Sequence, residues 1–230
     1  MFTPYDWQEG MSHRAQYIES RLAQSTPVAA VSLEAGIVFV AYYRSANKIF
    51  EIYDQLALGA LGQQSDVEAV RMAAIDFAHQ EGYNRSEAEV TVKRVVHTLS
   101  TPIKRAFADF NAAPFVARAL VAEVCASPDC DQYVMIDFDG DFHFRKNYGF
   151  IGQTQAAADI LDEQLEAAHL STASIESAVE ELSQILKNSI EPDPDKTLDA
   201  TIATLKREVA LLERNSTHEV RFRHLSEWEQ

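Results

Sequence analysis

The sequence is poor in cysteine, glycine and positive charge, and it contains no long apolar run. Two of its 230 residues are cysteine and eight are glycine, which excludes a disulfide-rich scaffold and a collagen-like repeat. Its longest apolar stretches fall far short of the ~20 residues that a membrane-spanning helix requires. With 35 acidic and 20 basic residues the net charge is -15, whereas a nucleic-acid binder needs a basic face. We therefore expect neither a nucleic-acid partner nor a membrane partner.

The remaining composition is that of an ordinary globular protein. Apolar residues make up 47% of the chain, and 230 residues are enough to bury a full core. The first ten residues lack the apolar segment of a signal peptide. Cys125 and Cys130 form a single C-x4-C pair, which lacks the other ligands of a zinc site. The sequence therefore predicts a cytoplasmic protein with reduced thiols, without a metal and without a cofactor.

The first half of the chain predicts one helix, four strands and two further helices. In residues 7–24 a narrow apolar stripe at helical spacing predicts packing on a surface or on a neighbouring chain. Two pairs of apolar runs then predict two hairpins, the first of them buried on both faces. In the second of the two following helices, Ser86 and Glu89 match a capping box and Pro102 predicts a kink or a boundary. The predicted strands cover residues 28–33, 37–43, 48–53 and 55–61, and the two helices cover 65–80 and 86–110.

The second half repeats the alternation of strand and helix blocks. Apolar runs at 115–125, 131–137 and 141–146 predict strands, with Asp139-Gly140 in the turn between the last two. Helical patterns follow at 152–169 and 171–187, and a short helix near 197–206 precedes a terminal hairpin at 208–214 and 219–225.

This alternation predicts an α+β fold in which two antiparallel sheets stack face to face between two helix layers. No linker divides the chain, so we expect a single domain over residues 11–225. Residues 1–10 are predicted to form a flexible tail, and residues 226–230 a short C-terminal tail.

The order of elements is that of the αββα sandwich of N-terminal nucleophile hydrolases, and several segments resemble 20S proteasome subunits. Residues 28–41 resemble the first hairpin of those subunits. Residues 47–54 resemble the Lys-Ile-x-x-x-Tyr-Asp stretch of bacterial, actinobacterial-like α subunits. Shorter similarities occur at 77–83, 113–115, 121–124 and 137–140, in the family's order. The resemblance extends from about Met11 to Leu225.

Two kinds of proteasome subunit are possible, and Thr26 separates them. A catalytic β subunit would use Thr26 as its N-terminal nucleophile after losing 25 residues. Pro27 follows it where β subunits usually carry a small residue, and Tyr42 stands where an Asp is expected. Lys48 comes too early to match the expected lysine. The prediction is therefore a non-catalytic α subunit, with no catalytic residue and not an enzyme, and the alternative is a β-type threonine protease processed before Thr26. An acidic helical scaffold is a third possibility, if the strand blocks are helical.

The α-subunit resemblance implies partners and site residues. Seven copies would form a homo-heptameric outer ring on the proteasome β subunits, admitting unfolded protein substrates and docking an AAA+ ring ATPase. The ATPase's C-terminal carboxylate would pair with Lys48, and Gly62 would leave room for its backbone. The gate would comprise Thr3, Pro4, Tyr5, Asp6 and Trp7, and the pore loop Ala113, Pro114 and Phe115.

Overall fold

Six helices and ten strands make up the structure, a computed structural model that describes residues 4–193, 195–216 and 220–228. The helices are α1 (Pro4–Leu22), α2 (Gln64–Asn84), α3 (Val92–Ala108), α4 (Gln155–Ala168), α5 (Ile175–Ser189) and α6 (Leu198–Ile202). The strands are β1 (Val28–Leu33), β2 (Gly36–Tyr43), β3 (Ile49–Tyr53), β4 (Leu56–Gly62), β5 (Ala117–Glu123), β6 (Gln132–Ile136), β7 (Phe142–Arg145), β8 (Tyr148–Ile151), β9 (Lys206–Glu213) and β10 (Phe222–His224).

The strands form two five-stranded antiparallel sheets. The first sheet has the order β10-β9-β2-β1-β8, and the second has the order β3-β4-β5-β6-β7. Strands β1 and β2 are buried on both faces, as their unbroken apolar runs predict. Strand β8 was not predicted, because its four residues follow β7 after only two residues and carry no alternating pattern of their own.

Three apolar clusters define four layers and confirm the predicted α+β sandwich. One cluster lies between the sheets and includes Phe39, Leu120 and Tyr133. A second packs α4 and α5 on the first sheet, and a third packs α2 and α3 on the second sheet. Because β9 is a strand rather than a helix, the helical-scaffold alternative is wrong.

Helix α1 differs from its prediction in both extent and environment. It begins at Pro4 rather than near residue 7, so residues 4–10 belong to the helix. Ile18 and Leu22 are fully buried in the cluster between the sheets. The prediction placed this stripe on a surface or on a neighbouring chain, whereas Ile18 and Leu22 pack in the core of their own chain. The apolar stripe of α1 is narrow because the helix fills one end of the sandwich and does not cover a sheet face, which would require a wider stripe.

The predicted helix over residues 86–110 is two elements. A 3-10 turn (Glu87–Glu89) precedes α3, and the Ser86 side chain makes no cap hydrogen bond, so the predicted capping box is wrong. The α3 N-terminus is capped from a distance instead, because the Glu123 carboxylate accepts from the Val92 N–H at 2.8 Å. Pro102 lies inside α3, which continues to Ala108 without a boundary.

A buried ion pair joins the two sheets at the end of the sandwich that carries the β1–β2 turn. Arg214 follows β9 and donates to both Asp131 carboxylate oxygens at 2.7 Å. The same guanidinium donates to the Leu33 carbonyl at 2.8 Å and to the Cys125 carbonyl at 2.7 Å. Neither charged side chain is more than 2% exposed. We call these contacts the Arg214 clamp.

Candidate functional site

Lys48 lies at the opposite end of the sandwich, where the chain passes from β2 in one sheet to β3 in the other. Its ammonium donates to the Thr26 carbonyl at 2.5 Å and to the Thr26 hydroxyl at 2.6 Å. The Thr26 hydroxyl in turn donates to the Tyr42 carbonyl. Lys48 therefore ties the start of β1 and the end of β2 to the start of β3.

A buried carboxylate supports this arrangement. Glu208 of β9 is fully buried, and its two oxygens accept from the backbone N–H groups of Lys48 at 2.7 Å and of Ile49 at 3.3 Å. The His224 imidazole lies 3.8 Å from the same carboxylate. Sequence reasoning missed Glu208. The sequence shows only an acidic residue at the start of an apolar strand. It does not indicate that this residue contacts the backbone of Lys48, 160 residues earlier.

The environment of Lys48 changes its acidity. Burial lowers the pKa of the ammonium from 10.5 to about 7, an effect that the nearby Glu208 carboxylate opposes and Arg44 reinforces. The residue as a whole is half-buried. The fraction of Lys48 that carries a charge therefore changes steeply around neutral pH.

Lys48 contacts Thr26 although it comes too early in the sequence to match the lysine expected of a β subunit. Only 22 residues separate the two, yet the β2–β3 crossover brings their side chains together. A hydroxyl beside a lysine of lowered pKa has the parts of a nucleophile and its base. In the unprocessed chain the Thr26 nitrogen is part of the peptide bond to Ser25, and Thr26 is only 4% exposed.

An open groove begins next to Lys48 and follows the edge strand β3. Its volume is about 760 Å³, and residues 49–54 form one wall. Helix α2 contributes Arg71 and His79 to the groove, and β10 contributes His224. Among the described strands β3 has a neighbour on one side only, so its other edge can pair with an extended peptide.

Gly62 lies at the same end of the β3–β4 hairpin as Lys48, but the space that it leaves is filled by the chain itself. Its φ angle is +135°, and a Cβ atom there would stand 2.1 Å from the Val116 carbonyl oxygen. Near Lys48, the Ala60 N–H donates to the Lys48 carbonyl at 2.9 Å. Glycine is thus required by the close approach of β4 and β5.

The predicted gate residues divide between described and undescribed parts of the chain. Thr3 lies outside the described residues, whereas Pro4 and Tyr5 begin helix α1. Asp6 is in the first turn, where a negative charge favours the helix dipole. Trp7 follows and is 50% exposed.

The predicted pore loop connects α3 to β5 and is held to α1. Ala113 is exposed, whereas Pro114 is half-buried and Phe115 packs partly on the cluster beneath α2 and α3. Arg14 of α1 donates to the Ala112 carbonyl at 2.6 Å and to the Ala106 carbonyl at 2.8 Å. The helix that carries the predicted gate therefore contacts the predicted pore loop directly.

The described residues offer neither a cluster of metal ligands nor a membrane-spanning helix. Within those residues, no group of three or more His, Cys, Asp or Glu side chains is arranged to hold a metal ion. Of the helices described, none combines the length and apolar character needed to cross a membrane.

Two sheets packed between helix layers, with a threonine before the first strand and a lysine against it, define the fold class of the N-terminal nucleophile hydrolases. The proteasome subunit family profile matches residues 28–205. The chain belongs to that family.

Curated relatives specify the type of subunit. A proteasome subunit alpha from Thermomonospora curvata is 28% identical over 95% of this chain and 90% of its own length. Those from Thermobifida fusca and Streptosporangium roseum are 27% and 29% identical, over 90% and 92% of this chain and 80% and 78% of their own lengths. This similarity identifies an α-type proteasome subunit of the actinobacterial kind.

Proposed function

We propose that this chain is a non-catalytic, cytoplasmic α subunit that forms the outer rings of a proteasome core particle. One observation carries the proposal: α1, which directly precedes β1, buries Ile18 and Leu22 between the sheets. An N-terminal threonine nucleophile would require removal of this helix and exposure of the core that it fills. The similarity to proteins named proteasome subunit alpha supports the same assignment.

In this proposal seven copies form a ring on the β subunits, and the N-termini of α1 gate the entry of unfolded proteins. The Arg14 contacts support the gate, because they couple α1 to the loop at Ala113, Pro114 and Phe115. A change in the position of α1 would therefore reach the loop that we propose lines the pore.

The ring ATPase would dock at Lys48. The extended C-terminal tail of the ATPase would pair with β3 in the groove. Its terminal carboxylate would replace Thr26 as the hydrogen-bond acceptor of the Lys48 ammonium. Gly62 would contribute indirectly, by allowing β5 to close on β4 at this end.

Co-expression with the organism's proteasome β subunit followed by native mass spectrometry tests the assignment. We expect seven full-length copies of this chain, each close to 25.7 kDa, in every outer ring. Recovery of the chain without its first 25 residues, or a particle that excludes it, would contradict the proposal.

The gate and the docking site are tested on the assembled particle. Deletion of residues 2–10 should raise the hydrolysis of short peptides several-fold, and unchanged hydrolysis in an intact particle would refute the gate. Lys48→Ala should lower the ratio of ATPase-stimulated to basal hydrolysis towards one. Lys206→Ala removes an exposed lysine from the first residue of β9 and is the matched control. Equal ratios in the two variants would refute docking at Lys48.

A second candidate function, a threonine protease processed before Thr26, is favoured by the contact between Lys48 and Thr26. Mass analysis of the assembled chain after incubation with a peptide epoxyketone, which bonds to an N-terminal threonine, distinguishes the candidates. The α-subunit proposal predicts an unmodified, full-length chain. An adduct on a chain that begins at Thr26 would support the protease.

A further inference from the structure

The only two cysteines in the sequence lie beside each other where β5 leads into β6. The register pairs Glu123 with Gln132, and Cys125 and Cys130 lie two positions beyond that pair on opposite sides of the connection. The Cys125 thiol donates to the Cys130 carbonyl at 3.0 Å, and both cysteines are free. Cys130 is the last residue of a 3-10 turn (Pro128–Cys130), and this turn brings its backbone against the Cys125 sulfur, so the two cysteines occupy adjacent positions from which a disulfide can form.

The two thiols differ in acidity. Cys130 is exposed, and hydrogen bonds with the Ser127 backbone and hydroxyl lower the pKa of its thiol. Cys125 is half-buried, and burial raises its pKa to about 12. The hydrogen bond with Cys130 and the nearby charges of Cys130, Glu123 and Asp131 also raise the pKa of Cys125. An exposed, more acidic thiol beside a protected one is the arrangement in which the first reacts with an oxidant and the second resolves the product.

We propose that Cys125 and Cys130 are a redox modification site that a hydroperoxide, such as hydrogen peroxide, converts to an intramolecular disulfide. The proposal does not depend on the ring, gate or docking roles described above.

The reaction proceeds in two balanced steps. The Cys130 thiolate attacks one peroxide oxygen, the O–O bond breaks, and Cys130 sulfenic acid forms with release of hydroxide, which takes up the proton that the Cys130 thiol lost. The Cys125 sulfur then attacks the Cys130 sulfur, and the S–O bond breaks as the Cys125 proton leaves with that oxygen as water. Two thiols are oxidised, and one peroxide is reduced to two waters. Formation of the neutral sulfenic acid also removes the negative charge that opposed ionisation of Cys125.

The site is joined to the Arg214 clamp, so oxidation would act on a structural contact. The Cys125 N–H donates to the Asp131 carboxylate at 2.8 Å, and the Cys125 carbonyl accepts from Arg214 at 2.7 Å. A disulfide would restrict the β5–β6 connection, which supplies the Cys125 N–H and carbonyl to the clamp. A dithiol reductant would reverse the change by thiol–disulfide exchange.

The test uses the full-length protein, reduced and then treated with a small molar excess of hydrogen peroxide. Alkylation and intact-mass analysis should show two reactive thiols before treatment and none after it, with a mass lower by two hydrogen atoms and no increase in oligomer size. Dithiothreitol should restore both thiols. A stable sulfinic acid at Cys130, or disulfides only between molecules, would overturn the proposal.

Two variants assign the roles. In Cys125→Ser the resolving thiol is absent, so a sulfenic acid should accumulate at Cys130 and react with dimedone. Cys130→Ser retains only the thiol of raised pKa, and its oxidation should be at least tenfold slower than that of the unmodified protein. Equal oxidation rates for Cys130→Ser and the unmodified protein would refute Cys130 as the attacking thiol.

Discussion

At the scale of single residues, the charges that matter most here are the buried ones. Most ion pairs in the described chain have at least one exposed partner and contribute little to stability. Lys48 and Arg214 differ because each joins distant segments of backbone: Lys48 holds Thr26, and Arg214 holds the carbonyls of Leu33 and Cys125. Lys48 joins the elements at one end of the sandwich, and Arg214 joins those at the other end. A change in the charge of either residue should therefore change the stability of the fold.

The lowered pKa of Lys48 predicts a pH dependence of stability. Between pH 7 and 10.5 the unfolded chain holds this proton whereas the folded chain does not, so the contribution of Lys48 to stability rises with pH across that window. The free energy of unfolding of the unmodified protein minus that of Lys48→Met should therefore increase from pH 7 to pH 10. Urea titrations at several pH values measure it, with Lys206→Met as a control for the loss of one charge. A flat or falling difference would contradict the pKa assignment.

The Arg214 clamp predicts a large effect from a small substitution. Asp131→Asn would leave a buried guanidinium without its counter-charge, which should cost about 3–5 kcal/mol in the free energy of unfolding. Asp131→Asn combined with Arg214→Met should cost less than the sum of the two single changes. Asp193→Asn at the more exposed Arg44 pair is the matched control and should cost less than about 1 kcal/mol. A clamp variant no less stable than this control would contradict the role of the clamp.

At the scale of elements, helix α1 is the piece whose role the structure changes most. Its apolar stripe predicts a helix, and that prediction is confirmed. The stripe does not reveal that Ile18 and Leu22 enter the space between two sheets, because that space is formed by strands far along the chain. An element that fills the end of a sandwich should be necessary for stability.

Substitution of Leu22 tests this role. Leu22→Ala should lower the free energy of unfolding by about 2–5 kcal/mol, since it opens a cavity in the core. Tyr17→Ala on the same helix removes a larger side chain that is 54% exposed, and it should change stability by less than about 0.5 kcal/mol. Denaturant unfolding of both variants provides the comparison. Equal costs would mean that α1 is peripheral to the fold.

Local sequence patterns predict the helices and strands of this chain, but they do not predict contacts between residues that are far apart in the sequence. Apolar runs bounded by turn residues locate the β1–β2 hairpin and the hairpin around Gly140, because adjacent residues determine both. The Asp131 to Arg214 pair spans 83 residues, and the register of two different sheets decides it. The Lys48 contact with Thr26 was missed for the same reason, since spacing along the chain does not measure distance across a crossover. Most of the fold was therefore predictable, and little of the site geometry was.

At the scale of the whole molecule, a net charge of -15 per chain affects assembly. Copies of one acidic chain repel one another, and salt screens that repulsion over ~10 Å at 0.1 M ionic strength. If the subunits form rings as proposed, the yield of complete particles should rise when the salt concentration increases from about 10 mM to about 150 mM. Native mass spectrometry or sedimentation velocity after equilibration measures this yield. A decrease over the same range would indicate that complementary charges dominate the contacts between subunits.

The position of β9 determines when the protein can fold during its synthesis. Strand β9 lies between β2 and β10, and it pairs with β2 along all eight residues of each strand. A ribosome must translate from Tyr43 to Lys206 before that pairing can begin, which takes roughly 10–30 s at typical elongation rates. During that interval the apolar edge of β2 has no permanent neighbour on the nascent chain. A chaperone that binds short apolar segments should therefore bind ribosome-attached intermediates that end before β9, and it should release them once β9 has emerged.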